Sequence, residues 1–162
     1  IAGIIYSPVN EALYYSVPGK GVFKTESAPA RAQRADSLLS LQNISDKLPY
    51  AFAGETITVA TSRSFHSDDT EKYILKLKKR YRKITLIPAG SAMKFGLIAE
   101  GRADIYPRFA TTMEWDVAAG HAILKESGFS VVEAGTGDSL VYNKPDLKNP
   151  WFIAKNNKVQ FF

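Results

Sequence analysis

The stretch ITLIPAGSAMKFGLIAEGRADIYPRF, residues 84–109, decides the fold. It begins with a β-rich run, continues with a helical pattern at residues 91–101, and ends with the strand-like run ADIYP at residues 103–107. Ser91 is the expected N-cap of the helix, and Gly101 is its expected C-terminal stop. A strand, a helix and a strand in succession predict one unit of a parallel sheet with a helix against its face.

The same alternation continues towards the N-terminus. ETITVATS at residues 55–62 predicts a strand, and residues 67–82 predict a helix that Ser67 can cap. Tyr73 and Tyr81 belong to the apolar stripe of this helix, so we expect both rings to be buried. Basic residues crowd its last turns, where positive charge suits the helix dipole.

The alternation also continues towards the C-terminus. Residues 111–128 predict a helix with a Thr111–Glu114 capping box, followed by short strands at residues 129–132 and 151–155. Strands that alternate with helices predict an α/β layered sandwich with a largely parallel sheet flanked by helices.

The first 50 residues follow a different pattern. IAGIIYSPV and EALYYSV predict two strands of a hairpin, and residues 25–50 predict a polar connector with a short helix. An isolated hairpin is marginally stable in water, so we expect its neighbours to lie outside this sequence. The chain starts at Ile1 within strand-like sequence, and we interpret it as a fragment that lacks an N-terminal part.

The composition excludes several kinds of site. A chain of 162 residues with 45% hydrophobic and 23% charged residues suits a globular domain. The absence of cysteine excludes disulfides, thiolate zinc sites and a cysteine nucleophile, and two histidines exclude a His-rich metal site. Any metal is therefore a hard ion held by oxygens, magnesium more than zinc. A net charge of +5 favours an anionic partner such as nucleic acid, a membrane surface or a phosphorylated small molecule.

Three local features point to phosphate. Ser91 and Lys94 share one face at the start of a helix, where free backbone N–H groups favour an anion. Arg108 follows a strand end, at the edge of a parallel sheet where ligands bind. Asp116 lies in a helical first turn, and Gly120 one turn later lets a neighbouring group come close. Each also has a purely structural interpretation: a cap with a surface lysine, a surface arginine, and a dipole-compensating aspartate above a tightly packed glycine.

The motifs around these residues resemble a known family. GSAMKFGLIAEGRADIYPRF followed by EWDVAAGHAILKESG is similar to the C-terminal signature of the inositol monophosphatase superfamily, whose core is Trp-Asp-x-Ala-Ala-Gly. The Ser-x-x-Lys and Pro-Arg-Phe motifs, TSRSFH at residues 61–66 and LVYNKPDLKNPWFIA resemble the CysQ-type branch, the 3'(2'),5'-bisphosphate nucleotidases. The resemblance covers nearly the whole chain.

The resemblance implies roles for individual residues. Asp116 matches an aspartate that binds catalytic Mg²⁺ and touches the substrate. Ser91, Lys94 and Arg108 match residues that contact the phosphates of the nucleotide, and His66 lies near a position that contacts substrate in some relatives. The remaining metal ligands of the family, a Glu-Glu pair and an Asp-Pro-x-Asp-Gly-Thr motif, do not occur in this sequence, and we expect them before Ile1.

The implied activity is magnesium-dependent hydrolysis of the 3'-phosphate of 3'-phosphoadenosine 5'-phosphate to AMP and phosphate, in sulfur assimilation and nucleotide recycling. Residues 1–28 would be the last hairpin of a truncated N-terminal α+β domain, and residues 29–162 the C-terminal α/β domain. The missing N-terminal domain would be a required partner, so we expect the chain alone to be inactive. The implied location is cytoplasmic, with attachment to the cytoplasmic face of the inner membrane as an open alternative.

Two other functions remain as alternatives. An inositol monophosphatase or a sugar bisphosphatase would share this fold. A nucleic-acid-binding module could use the basic helix at residues 72–83, although the simpler interpretation of this run is a solvated helix face. Trp115 is expected in the core, His121 is expected to be packed or on the surface, and Glu114 is expected in the capping box.

Overall fold

A computed structural model of the protein describes residues 1–49, 56–63 and 67–160. Two sheets and five helices make up the secondary structure of these residues. The strands are β1 (Ile4–Ser7), β2 (Ala12–Val17), β3 (Gly21–Thr25), β4 (Asp46–Leu48), β5 (Ile57–Ser62), β6 (Ile84–Ala89), β7 (Ile105–Arg108), β8 (Ser130–Glu133) and β9 (Phe152–Lys155). The helices are α1 (Ala28–Ala32), α2 (Leu38–Asn43), α3 (Asp68–Arg80), α4 (Met93–Glu100) and α5 (Glu114–Glu126).

The first sheet is antiparallel, with strand order β1-β2-β3-β4. The predicted hairpin forms its first two strands, but the expectation that the neighbours lie outside the sequence was wrong, because β3 and β4 pair next to it. Gly19 and Gly21 both have positive φ, 73° and 105°, and these turn residues let the chain double back into β3. Residues 25–50 contain α1, α2 and β4 rather than one short helix.

The second sheet has strand order β6-β5-β7-β9-β8. β6 and β7 are parallel to β5, and β9 is antiparallel to both β7 and β8. Four of the five strands therefore run in one direction, as predicted, and β9 runs in the opposite one. The connection from β8 to β9 contains no helix in the part of the chain that the structure describes, and a parallel return would need a crossover.

The helices form layers with the two sheets. α4 and α5 lie between the sheets, where Phe95 and Ile98 of α4 share a core cluster with Ile5, Tyr14 and Val22 of the first sheet. The close neighbour of Gly120 in this layer is the ring of Phe95, so the glycine serves the packing of α4 against α5. The α/β layered prediction is confirmed.

The other face of the second sheet carries α3, whose Ile74 and Leu77 pack on Ile57 and Val59. Ser67 caps this helix as predicted, since its hydroxyl accepts the Thr70 N–H at 3.2 Å. The first sheet extends to Leu48, beyond the predicted boundary at residue 28. The division into two domains stays a prediction.

Among the described residues, no helix is both long enough and apolar enough to cross a lipid bilayer.

Candidate active site

A cleft of about 590 Å³ opens between the β6–α4 turn, the end of β7 and the start of α5. Ser91, Lys94, Arg108 and Asp116, which the sequence analysis singled out, all line it. The other lining residues are Ser62, Arg63, Gly90, Ala92, Phe95, Tyr106, Thr111, Thr112, Trp115, Val117 and Phe152. His66, the fifth predicted substrate contact, lies outside the described residues.

Lys94 is the second residue of α4, and only 3% of it is exposed. Its ammonium donates to the carbonyl oxygens of Ala89 (3.1 Å) and Ser91 (2.9 Å), and lies 4.9 Å from the centroid of the Tyr106 ring. Two of its three N–H donors are thereby used, so one remains for a ligand oxygen. Burial, reinforced by the nearby charge of Arg108, lowers the pKa of Lys94 to about 8.

Ser91 does not cap α4, so this prediction was wrong. The helix begins at Met93, and no side chain caps its first turn. Ser91 instead adopts a left-handed conformation with φ of 47°, and its carbonyl accepts the hydrogen bond from Lys94. The tight turn exposes the Ser91 side chain at the mouth of the cleft. In this conformation it cannot reach back to the helix as an N-cap does.

Arg108 ends β7 and turns its guanidinium into the cleft. Nη2 donates to the Thr111 carbonyl over 3.4 Å, a long hydrogen bond, and the buried Nε has no partner among the described residues. A buried donor without an acceptor costs free energy. Arg108 lines the cleft, so the remaining N–H groups at the end of its guanidinium are available to an anion there.

Asp116 is the third residue of α5. Its Oδ2 accepts the Met113 N–H at 2.8 Å, which satisfies one free donor at the helix start. The predicted Thr111–Glu114 box was wrong because the helix begins later, at Glu114, whose side chain turns away to Lys144. The Asp116 carboxylate is exposed to the cleft.

Tyr106 forms one wall of the cleft, and sequence reasoning missed it. It lies two residues before Arg108 on the same strand, so the two side chains share one face of the sheet. Side chains along a strand alternate between its two faces, and this alternation was the signal that could have placed Tyr106 beside Arg108. Burial is the main cause that raises the pKa of Tyr106 to about 12, and the phenol therefore stays neutral near pH 7.

Trp115 is 65% exposed and lines the cleft, so its predicted place in the core was wrong. In the first turn of α5, Val117 is the residue that faces the core, and it is buried. His121 is packed, in agreement with one of the two outcomes expected for it, and its Nδ1 shares a 2.8 Å hydrogen bond with the Tyr142 hydroxyl. Burial, with Lys125 nearby, lowers the pKa of His121.

Tyr73 of the basic helix α3 and Tyr81, the residue just after it, pack inward. Tyr73 makes an edge-to-face contact with Phe109 at 5.3 Å between centroids, and burial raises its pKa to about 12. Tyr81 packs against the same core cluster. Neither ring is therefore placed as a free platform for stacking on bases.

The profile of the inositol monophosphatase family matches residues 1–160. The chain belongs to this family.

Named members resemble the chain closely. The 3'(2'),5'-bisphosphate nucleotidase CysQ of Salmonella typhimurium is 33% identical over 153 residues, which are 94% of this chain and 53% of that protein. The CysQ of Buchnera aphidicola is 35% identical over 144 residues, 88% of this chain and 46% of that protein. The crystal structure of CysQ from Bacteroides thetaiotaomicron superposes with a TM-score of 0.84 and 43% identity, covering 96% of this chain and 57% of that one. The chain thus spans about half the length of the CysQ relatives it matches.

Inositol monophosphatase family members are metal-dependent phosphatases, so the cleft would have to supply oxygen ligands for a hard cation. Mg²⁺ is usually held by one or two carboxylates, several waters and substrate phosphate oxygens. Asp116 fits as one such carboxylate, because its exposed group faces a cleft that is also lined by the cationic side chains of Arg63, Lys94 and Arg108. Residues 1–49, 56–63 and 67–160 contain no group of three His, Cys, Asp or Glu side chains that could hold a metal by itself.

Proposed function

We propose that this chain forms the phosphate-binding half of a 3'(2'),5'-bisphosphate nucleotidase. The reaction is hydrolysis of the 3'-phosphate of 3'-phosphoadenosine 5'-phosphate to give AMP and phosphate. The observation that carries the proposal is the convergence of Lys94, Arg108 and Asp116 in one cleft. The likeness to CysQ proteins supports the choice of substrate.

Lys94 and Arg108 would receive the phosphates in different ways. Arg108 presents the planar end of its guanidinium at the cleft, which suits two oxygens of one phosphate. Lys94 is held in place by the Ala89 and Ser91 carbonyls and offers its remaining N–H as a fixed point of charge. Lys94 is thus already held in place before an anion enters, which favours binding.

Asp116 would hold Mg²⁺ through the oxygen that does not accept the Met113 N–H. When bound, Mg²⁺ neutralises phosphate charge and lowers the pKa of a coordinated water. The contribution of the chain itself is to orient this carboxylate, through the Met113 hydrogen bond, beside the phosphate that Lys94 and Arg108 bind. Further ligands would come from the part of the CysQ relatives' length that this chain does not span, so a complete site would form only with that part present.

Trp115 favours a nucleotide over an inositol or sugar phosphate. Its indole is exposed in the cleft directly beside Asp116, where it offers a flat apolar face. Stacking of a base on such a ring is worth about 1–3 kcal/mol, and a planar base covers an indole face more completely than a puckered inositol or sugar ring does.

The proposal is tested by measuring phosphate release from 3'-phosphoadenosine 5'-phosphate with Mg²⁺. We expect no turnover from the 162-residue chain and clear turnover from the protein extended at its N-terminus. Turnover by the chain alone would refute the shared metal site. No turnover by the extended protein, with activity on inositol phosphate instead, would refute the nucleotide substrate. A cytoplasmic location is part of the same proposal.

A further inference from the structure

The start of α5 carries Trp115 and Asp116 in the cleft, and one loop binds the residues just before them. This loop comprises residues 140–149, between β8 and β9, and is called here the α5 clamp. Its contacts are made with Thr112, Met113 and Glu114, just before the two cleft residues.

Glu114 makes the most contacts with the α5 clamp. Its Oε2 accepts the Asn143 N–H at 2.6 Å, and its Oε1 accepts the Lys144 N–H at 3.2 Å and a hydrogen bond from the Lys144 ammonium. Asn143 has a left-handed φ of 62°, which the carboxylate helps to fix. Glu114 is buried, although a glutamate in a first helical turn is usually exposed. Both oxygens of its carboxylate therefore accept hydrogen bonds from the α5 clamp.

Backbone bonds continue the same attachment along the chain. The Glu114 N–H donates to the Leu147 carbonyl at 2.9 Å, and the Asn149 N–H donates to the Thr112 carbonyl at 2.8 Å. The side-chain amide of Asn149 donates through Nδ2 to the Met113 carbonyl at 2.7 Å. The backbone of Met113 is thus held through its carbonyl by the α5 clamp and through its N–H by Asp116 Oδ2.

Helical geometry separates the two sides of this turn. Asp116 lies two residues after Glu114, which at about 100° per residue places it on the opposite side of the helix. Glu114 therefore faces the α5 clamp while Asp116 faces the cleft, and neither competes for the other's partners.

We propose that Glu114 is a positioning residue, which acts through the α5 clamp to fix the orientation of Trp115 and Asp116 in the cleft. The proposal rests on the proposed function for its effect on metal and phosphate. The local ordering it describes does not depend on that function.

The test uses the 162-residue chain in a Trp151→Phe background, so that Trp115 is the only tryptophan. Glu114→Gln puts an amide group opposite three donors and should loosen the clamp. Lys144→Met removes only the ammonium and leaves both backbone N–H bonds to Glu114. Glu126→Gln is the matched control, since Glu126 lies at the other end of α5 and likewise binds a backbone N–H, that of Gly19 at 2.6 Å.

The first measurement is amide hydrogen exchange at residues 113–117. We expect exchange about tenfold faster in Glu114→Gln, the size expected for loss of a charge-assisted hydrogen bond, and little change in the Lys144 and Glu126 variants. Equal exchange in Glu114→Gln and Glu126→Gln would overturn the proposal. If Glu114→Gln does not fold, Asn149→Ala releases the other end of the clamp, and unchanged exchange there would overturn it too.

The second measurement is quenching of Trp115 emission by Mn²⁺, a paramagnetic substitute for Mg²⁺. We expect the apparent dissociation constant to rise about five- to twentyfold in Glu114→Gln and to stay constant in Glu126→Gln. A lower thermal midpoint with unchanged quenching would show a merely structural role and contradict the proposal. Absence of quenching in the reference chain would mean that the incomplete site binds Mn²⁺ too weakly for this measurement, and hydrogen exchange would then decide the role of Glu114 by itself.

Discussion

The ring of Phe95 in α4 packs directly on the bare backbone of Gly120 in α5. A Cβ added at Gly120 would lie 2.3 Å from Phe95 Cγ, closer than any normal contact. Since α4 carries Lys94 and α5 carries Asp116, this contact sets the spacing of the two helices whose first turns form the cleft.

Gly120→Ala should therefore destabilise the chain and weaken ligand binding in the cleft. Overpacking of this kind costs about 1–3 kcal/mol in the free energy of unfolding. Urea unfolding measures the change, and Gly135→Ala is the control, because a Cβ there would meet nothing within 4 Å. Equal stability of the two variants would show that the helices can move apart without cost.

Arg108→Ala should raise the KM for 3'-phosphoadenosine 5'-phosphate in the active, extended protein. Losing a charge-assisted pair to phosphate is worth about 1.5–3 kcal/mol, or roughly a 10- to 150-fold increase. Arg102→Ala is the control, because Arg102 pairs with Glu100 at 3.4 Å and does not line the cleft. An unchanged KM after Arg108→Ala would favour a simpler monophosphate substrate.

Binding of the nucleotide should weaken above pH 8. The pKa of Lys94 is lowered to about 8 by burial, so the ammonium loses its charge as the pH rises through that value. The phosphate is already fully ionised there, since the second pKa of a phosphomonoester is about 6. Calorimetry should show a dissociation constant that rises by up to about tenfold per pH unit above 8.

The control for this pH effect is Lys94→Met, whose affinity should be lower and independent of pH between 7 and 9.5. If the variant keeps the pH dependence of the reference chain, another group titrates.

Folding stability should change with pH in the opposite direction to ligand binding. Between pH 8 and 10.5 the unfolded chain keeps a proton that folded Lys94 has released, so the free energy of unfolding rises with pH, by about 3 kcal/mol in total.

Trp115→Ala should weaken binding of AMP by about 5- to 150-fold, the range expected for loss of one stacked base, and should leave binding of inorganic phosphate unchanged. Trp115→Phe keeps an aromatic face and should retain most of the affinity. Trp151→Phe provides the second control, since Trp151 is half-exposed but lies outside the cleft. Equal losses of AMP and phosphate affinity after Trp115→Ala would mean that the indole shapes the cleft rather than binding the base.

The sequence predicted the alternation of strands and helices well, because helices of 8 to 13 residues show their period and separate the apolar runs that form the strands. Ser67 capped its helix as predicted, since an N-cap depends on local geometry alone. β4 was missed because its three residues are too few to show a period, and its pairing with β3 depends on distant sequence.

The sequence singled out residues that share one cleft, while their roles in binding and catalysis stay a prediction. Asp116, Lys94 and Arg108 line one cleft, because each follows a structural boundary that the sequence marks. The capping error at Thr111 and the exposed indole of Trp115 have one cause. The α5 clamp binds Glu114 and delays the start of the helix, and the loop comes from sequence about thirty residues later, beyond the reach of local patterns.

The central claim is that the Asp116 carboxylate holds a divalent cation beside a phosphate bound by Lys94 and Arg108. Its most direct test is Mg²⁺-dependent phosphate release by the extended protein carrying Asp116→Asn, which keeps the shape and the acceptor for Met113 but removes the charge. Asp138→Asn, in the exposed loop after β8, is the control. We predict a loss of at least about 100-fold for Asp116→Asn and none for the control; turnover that survives Asp116→Asn within a few-fold would contradict the account.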